Sequence, residues 1–172
     1  MAMRRFCAAI TKRSEALRYW LFKSEPDTFG IDALAALPRK TTHWDGVRNY
    51  QARNMMRDEM KRGDLGFFYH SSCAEPAIVG IVKVVREGHP DHTAFDSGSK
   101  YFDADSDPSD PRWFMVDVQL VRRFAQPVTL TELRRHAATR LRDMLILRRG
   151  NRLSITPVSP AEWKFVCSLA DR

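Results

Sequence analysis

The sequence predicts a mixed α+β domain: a compact, barrel-like β-sheet with several short helices packed around it. Strand-like segments are scattered between short helical ones, without the regular alternation of a doubly wound fold. The chain, 172 residues with 44% hydrophobic and 28% charged residues, has the length of one ordinary domain able to bury a core without staples. Only 8 Gly and 9 Pro set aside collagen-like and low-complexity chains.

The elements follow in order. Tyr19-Trp20-Leu21-Phe22-Lys23 is an aromatic-rich strand that Ser24-Glu25-Pro26-Asp27 stops in a turn. Ile31, Leu34 and Leu37 recur at helical spacing until Pro38 ends the helix. Asp45-Gly46 marks a turn. Ala52, Met55, Met56 and Met60 then form the apolar stripe of a helix over residues 50–60, with Asn49, Arg53, Arg57 and Lys61 as a basic line opposite. Residues 65–71 and 77–85 read as strands, the second apolar on both faces and hence central. Residues 89–111 read as a long acidic loop. Phe114, Val116, Val118 and Leu120 alternate with Met115, Asp117 and Gln119 as a half-buried strand does. Thr129 and Glu132 have capping-box spacing for a helix over 130–138, residues 141–149 read as a further turn or helix, and residues 152–156 as a short strand. Ser159-Pro160-Ala161-Glu162 is a strong helix start.

Cys7, Cys73 and Cys167 are widely spaced and form no C-x-x-C pair, so neither a disulfide framework nor a thiolate zinc site is expected, and a reducing cytoplasm suits the chain. No run approaches the roughly 20 apolar residues of a membrane span, so no membrane partner is expected. The first 18 residues are basic, and their apolar patch, Phe6 to Ile10, is too short for a secretory signal. They read as a flexible basic extension, residues 1–18, ahead of a single domain, residues 19–172, that is expected to be a monomer.

The net charge of +7 points to a polyanionic partner, but its distribution matters. Residues 1–18 carry +4 of it, residues 87–117 carry −6 and residues 122–152 carry +7. The nine arginines of the last segment suit phosphate, and suit the carboxylates of the acidic segment equally well.

Tyr69-His70-Ser71-Ser72 places a histidine beside hydroxyls, but neighbours on a strand point to opposite faces, so a binding role fits better than a catalytic triad. His89-Pro90-Asp91-His92 lacks a committed ligand spacing and reads as a solvated loop, so no metal is expected. Glu25, Asp27 and Asp45 could pair as acid and base only if the fold joins them. Trp44, before a turn and a basic helix face, could present an exposed ring to stack a base, whereas Trp20 and Trp163 read as core. Nucleotide cradles of the G-x-G-x-x-G or P-loop type are absent from the sequence.

Four ordered phrases, residues 19–26 (YWLFKSEP), residues 44–54 (WDGVRNYQARN), Gly63-Asp64 with Phe68-Tyr69-His70-Ser71, and Arg152-Leu153-Ser154-Ile155, closely resemble the EVE-domain family. The resemblance runs from Tyr19 to Leu169, and Phe22, where the family often has Met, is a conservative departure. It implies a PUA-like fold, a small curved β-barrel related to domains that read modified bases. It also implies a pocket for a flipped modified base, modified cytosines such as 5-methylcytosine or 5-hydroxymethylcytosine being the proposed ligands. That pocket would draw on Lys23, Ser24, Trp44, Asn49, Tyr69, His70, Ser71, Arg152, Leu153 and Ser154. Arg48, Arg53 and Arg57, with Arg148 and Arg149, are then candidates for the phosphates. The expectation is a non-catalytic module without cofactor or metal, binding DNA or RNA in the nucleoid of a bacterium or the nucleus of a eukaryote. The alternatives are a small nucleotide-directed enzyme using His70 with Glu25 or Asp45, and a small-molecule sensor.

Overall fold

The computed structural model describes residues 16–172, so the expected extension lies outside it except for Ala16, Leu17 and Arg18. The chain forms β1 (Tyr19–Ser24), two short helices α1 (Pro26–Phe29) and α2 (Ile31–Ala36), β2 (Thr41–His43), and α3 (Tyr50–Asn54). Next come β3 (Leu65–His70), β4 (Ala77–Pro90), β5 (Phe114–Thr129), α4 (Leu130–Arg135), β6 (Ile155–Val158) and α5 (Pro160–Ala170). The six strands make one mixed sheet in the order β2-β5-β4-β3-β1-β6, in which only the β1–β3 pair is parallel.

Strand alternation distributes the apolar residues over two faces of this sheet. Trp20, Phe22 and Phe68 join Leu34, Trp44, Met56 and Val82 on one face. Leu21, Phe67 and Tyr69 join Leu133, Trp163 and Val166 on the other. A sheet buried on both sides explains the unbroken apolar runs of β3 and β4. Helices form where local signals are strongest. Ser159 and Glu162 complete a reciprocal capping box at α5, and the Thr129 side chain accepts from the Glu132 amide at α4. Asn49 caps α3, which widens into a π-helical turn over Met55–Glu59. That turn brings residues five apart onto one side, so Met55, Met56 and Met60 are all buried.

β4 and β5 outrun their apolar patterns. β4 continues through Arg86 and His89 to Pro90, inside the stretch read as loop, and β5 continues to Thr129. Register shifts near Gly80, Val82, Arg86 and His89 break the two-residue period, so strand and pattern part company there. α4 is shorter than read, residues 141–149 contain only a 3-10 turn at Leu145–Leu147, and β6 begins at Ile155.

One polar group ties the entry of the chain to this core. Asp64, 4% exposed, accepts from the Trp20 indole at 3.0 Å, the Lys61 amide at 3.0 Å and the Arg18 amide at 3.2 Å. Asp64→Ala strands three donors, one of them a fully buried indole N–H, and is expected to cost about 2–4 kcal/mol in urea denaturation. Asp64→Asn, which retains an accepting oxygen, should lose clearly less.

Candidate functional site

Beyond the carboxyl end of β1 lies a cavity of about 610 Å³. Lys23 and Ser24 close β1 at its base, and Glu25, Thr28 and Phe29 of the following turn form one wall. The Ser24 hydroxyl donates to the Phe29 carbonyl at 2.6 Å, folding α1 back over the strand end. Thr42 and His43 of β2 and the segment from Trp44 to Arg48 form a second wall, and Lys100, Tyr101 and Ser154 complete it. The Lys23 amide donates to the Ser154 carbonyl at 2.8 Å, which joins the segment before β6 to the base.

The wall from Trp44 to Arg48 is held from behind by a buried ion pair. Asp91 is fully buried and accepts from Arg48 Nη1 and from the Gly46 amide, each at 2.8 Å, and from the amide and hydroxyl of Thr93 at 2.9 and 2.6 Å. Arg48 also donates to the Tyr101 carbonyl through Nε at 3.1 Å and Nη2 at 2.6 Å. One guanidinium therefore clamps the Trp44 segment to the β4–β5 connection. Gly46 lies under the Tyr101 ring with φ of 73°, and a Cβ there would come within 2.5 Å of a ring carbon. Only glycine meets both demands.

Burial would raise the Asp91 carboxyl, but the bonds from Arg48, Thr93 and Gly46 outweigh it and hold the group below the ordinary carboxylate value. Asp45, on the cavity wall, goes the other way: burial, then the negative charge of Asp91, raise it, against weaker pulls from His92 and His43. The cavity therefore holds a carboxyl readier than usual to carry a proton, opposite Lys23 and Lys100.

Of the expected pocket residues, Lys23, Ser24, Trp44 and Ser154 line this cavity. Trp44 does so with its ring buried rather than exposed: it is 7% exposed and meets Phe22 and Phe68 edge-on at 5.1 and 5.6 Å, because its backbone pairs with Val116 and turns the indole into the core. Asn49 is spent on capping α3. Tyr69 points to the opposite face of the sheet, as alternation with Phe68 requires. His70 Nε2 accepts from the Ile31 amide at 3.1 Å, capping α2, and burial lowers its basicity. Ser71 donates its amide to the Ser24 carbonyl, Leu153 packs on the core and Arg152 is exposed, and these three lie outside the lining.

Among the expected phosphate contacts, Arg48 is committed to Asp91 and Arg57 makes two bonds to Asp58. Arg53 donates to the Arg112 carbonyl at 2.6 Å and lies over the Tyr50 ring. Arg148 and Arg149 are exposed, Arg148 with only a 3.9 Å approach to Asp143. Lys100 and Tyr101 were invisible in the sequence, where they sit in an acidic stretch that reads as solvated. No local signal in the sequence marks either residue.

The EVE domain family model matches residues 18–169. Human thymocyte nuclear protein 1 is 45% identical over 169 residues, covering 90% of this chain and 74% of that protein. The crystal structure of human THYN1 in complex with 5-methylcytosine-containing DNA superposes with a TM-score of 0.85 at 43% identity, covering 90% of this chain and 98% of that one. A protein from Pseudomonas putida superposes with a TM-score of 0.83 at 45% identity, covering 88% and 99%.

The two carboxyls give opposite pH signatures. Asp91, depressed in the fold, contributes stability that is complete above the unfolded carboxylate value and is lost as pH falls through its lower folded value. Asp45, raised in the fold, opposes folding once pH rises above the unfolded value. Thermal melts from pH 3 to 7 should therefore show Asp91→Asn losing the acid-side slope together with much of the neutral-pH stability, and Asp45→Asn melting at or above the parent temperature near pH 7.

Proposed function

The chain belongs to the EVE-domain family, and from that membership we propose that it is a non-catalytic nucleic-acid-binding protein that takes a modified base, a modified cytosine above all, into the cavity at the end of β1. The observation that carries this reading is the cavity itself, about 610 Å³ with both apolar and hydrogen-bonding walls, in a chain so similar to human THYN1, which has been crystallised with 5-methylcytosine-containing DNA. That volume falls in the range of small-ligand sites.

The chemistry of the walls supports it. Cytosine offers an amino donor at N4 and acceptors at N3 and O2. Asp45 and Glu25 are acceptors for the amino group, Lys23 is a donor, the Ser24 hydroxyl, its hydrogen held by Phe29, offers a further accepting lone pair, and Asp45 in its protonated form can donate to N3. A methyl group on C5 needs apolar contact, which Trp44, Phe29 and Val47 offer. Trp44 acts as a rigid floor, while Tyr101 is the partly exposed ring available for stacking. Extracting a base costs a few kcal/mol, which stacking and edge contacts of this kind recover. Arg148, Arg149 and Arg152, exposed together, are the cations best placed to meet phosphates, whether of DNA or of RNA. The rival enzymatic reading is weakened at His70, whose accepting nitrogen is occupied by the Ile31 amide.

The test is a titration of matched DNA and RNA strands carrying cytosine, 5-methylcytosine or 5-hydroxymethylcytosine at one position, at two salt concentrations. A modified strand should bind preferentially, and Lys23→Met should weaken its binding about tenfold, the loss of one charge-assisted bond. Reversing Arg148 and Arg149 to Glu should weaken every strand alike and flatten the salt dependence. Equal, salt-sensitive binding of all strands would overturn base reading and leave a nonspecific basic surface.

A further inference from the structure

Beside the cavity, whose wall His43 also lines, His43, His89 and Asp117 converge, with one ligand atom from each within 4.8 Å of the others. The fold builds this meeting from three strands. His43 and Asp117 are register partners across the β2–β5 pair, and His43 Nδ1 lies 2.7 Å from Asp117 Oδ1. In β4 the register slips between Val84 and Arg86 and again between Arg86 and His89, the kind of irregularity that re-aims a side chain. His89 Nε2 thereby lies 3.2 Å from the same Asp117 oxygen. Gly88 allows the strand to press against the π-helical turn: a Cβ there would stand 2.6 Å from the Met56 carbonyl and 2.7 Å from Arg57 Cα.

The other nitrogen of His89 fixes its chemistry. Nδ1 lies 2.9 Å from the Glu87 carbonyl, which can only accept, so Nδ1 carries a hydrogen. In the neutral ring Nε2 then offers a lone pair. This atom is buried, lies off the hydrogen-bonding direction to Asp117, and is the one buried side-chain polar atom without a partner among the described residues. An imidazole lone pair and a carboxylate oxygen 3.2 Å apart repel unless a proton, a water molecule or a cation stands between them.

We propose that His43 Nδ1, His89 Nε2 and Asp117 Oδ1 bind a divalent transition-metal ion of the zinc class. Two imidazoles and one carboxylate are the donors such ions take, whereas magnesium and calcium prefer oxygen alone. Donors at ~2.0–2.2 Å from a tetrahedral ion stand roughly 3.2–3.6 Å apart. The His89–Asp117 distance of 3.2 Å already meets that, and the 2.7 Å His43–Asp117 contact is a hydrogen bond donated by Nδ1, which opens by a small rotation of the half-exposed His43 ring while the Nδ1 proton moves to Nε2 or to solvent as the ion binds. The Nδ1–H bond from His89 to a backbone carbonyl is the outer contact that orients a metal-binding imidazole. Three protein donors leave the fourth position to water or an anionic oxygen. Asp117 also borders a second hollow lined by Arg39, Arg62, Lys83 and Arg86, which would draw such an oxygen toward the ion.

The full chain, stripped with chelator, is titrated with Co²⁺ followed by Zn²⁺, with visible absorption and calorimetry as readouts. One equivalent of Co²⁺ should give the ligand-field bands of a low-coordinate site, and one equivalent of Zn²⁺ should erase them. Asp117→Asn, His89→Gln and His43→Gln should each weaken Zn²⁺ by at least about tenfold. His92→Gln, whose ring lies beside His43 but outside the cluster, should leave it unchanged. His43 is half exposed, so its variant keeps the fold if the other two do not, and circular dichroism monitors this. Absence of saturable binding, or zinc affinity that survives substitution of His43, overturns the proposal and leaves a protonated His89 or a water molecule as the bridge. Oligonucleotide binding is read separately, so failure here leaves the base-reading function standing, and the reverse holds as well.

Discussion

The pair between Arg48 and Asp91 is the contact on which the candidate site depends. It joins segments 43 residues apart and binds together the two parts of one cavity wall, the Trp44–Arg48 segment and Tyr101. A buried carboxylate is tolerable only with its lone pairs filled, and here a guanidinium, two amides and a hydroxyl fill them. The remaining donors of Arg48 hold the Tyr101 carbonyl, and its plane stands 5.7 Å from the Tyr101 ring centre and 5.3 Å from that of Trp113. The cavity owes its shape to this polar knot more than to the apolar core below it, since residues 91–113 contain little regular structure.

Rigidity and chemistry are divided between residues. Trp44, Asn49, His70 and Arg48, all polar or aromatic and all plausible as ligand contacts, are used to build: a core ring, two helix caps and a clamp. Lys23, Asp45, Lys100 and Tyr101, which line the cavity, stand on that frame as the contacts proposed for a ligand. Such a division suits recognition of a small chemical difference, because walls that cannot relax convert a missing or added methyl group into a difference in affinity.

What was legible in the sequence tracks how local the physics is. The capping box of α5, the Thr129 cap of α4, the methionine stripe and the central β4 were readable because their determinants lie within one turn or one strand. The far ends of β4 and β5 were not, because bulges interrupt the alternation just where polar residues take over. Tyr69 against His70 could be resolved only as opposite faces, and which face met the cavity depended on helices 64 and 94 residues later in the chain, where Leu133 and Trp163 claim the Tyr69 side. The motif residues carried by family resemblance divided in the same way into those that touch the cavity and those that hold it up.

The disproportion between β5 and its outer neighbour bears on how the protein survives at high concentration. β2 covers only Asp117 to Gln119 of a sixteen-residue strand, so much of one edge of β5 carries no partner strand. Bare edges invite pairing with another chain. Along this one stand Arg122 and Arg123, tied back to Asp171 and Asp32, and then Pro127, which has no amide hydrogen to offer. Part of the arginine-rich segment thus guards against aggregation: its charges keep foreign strands off an edge that the three residues of β2 are too few to close.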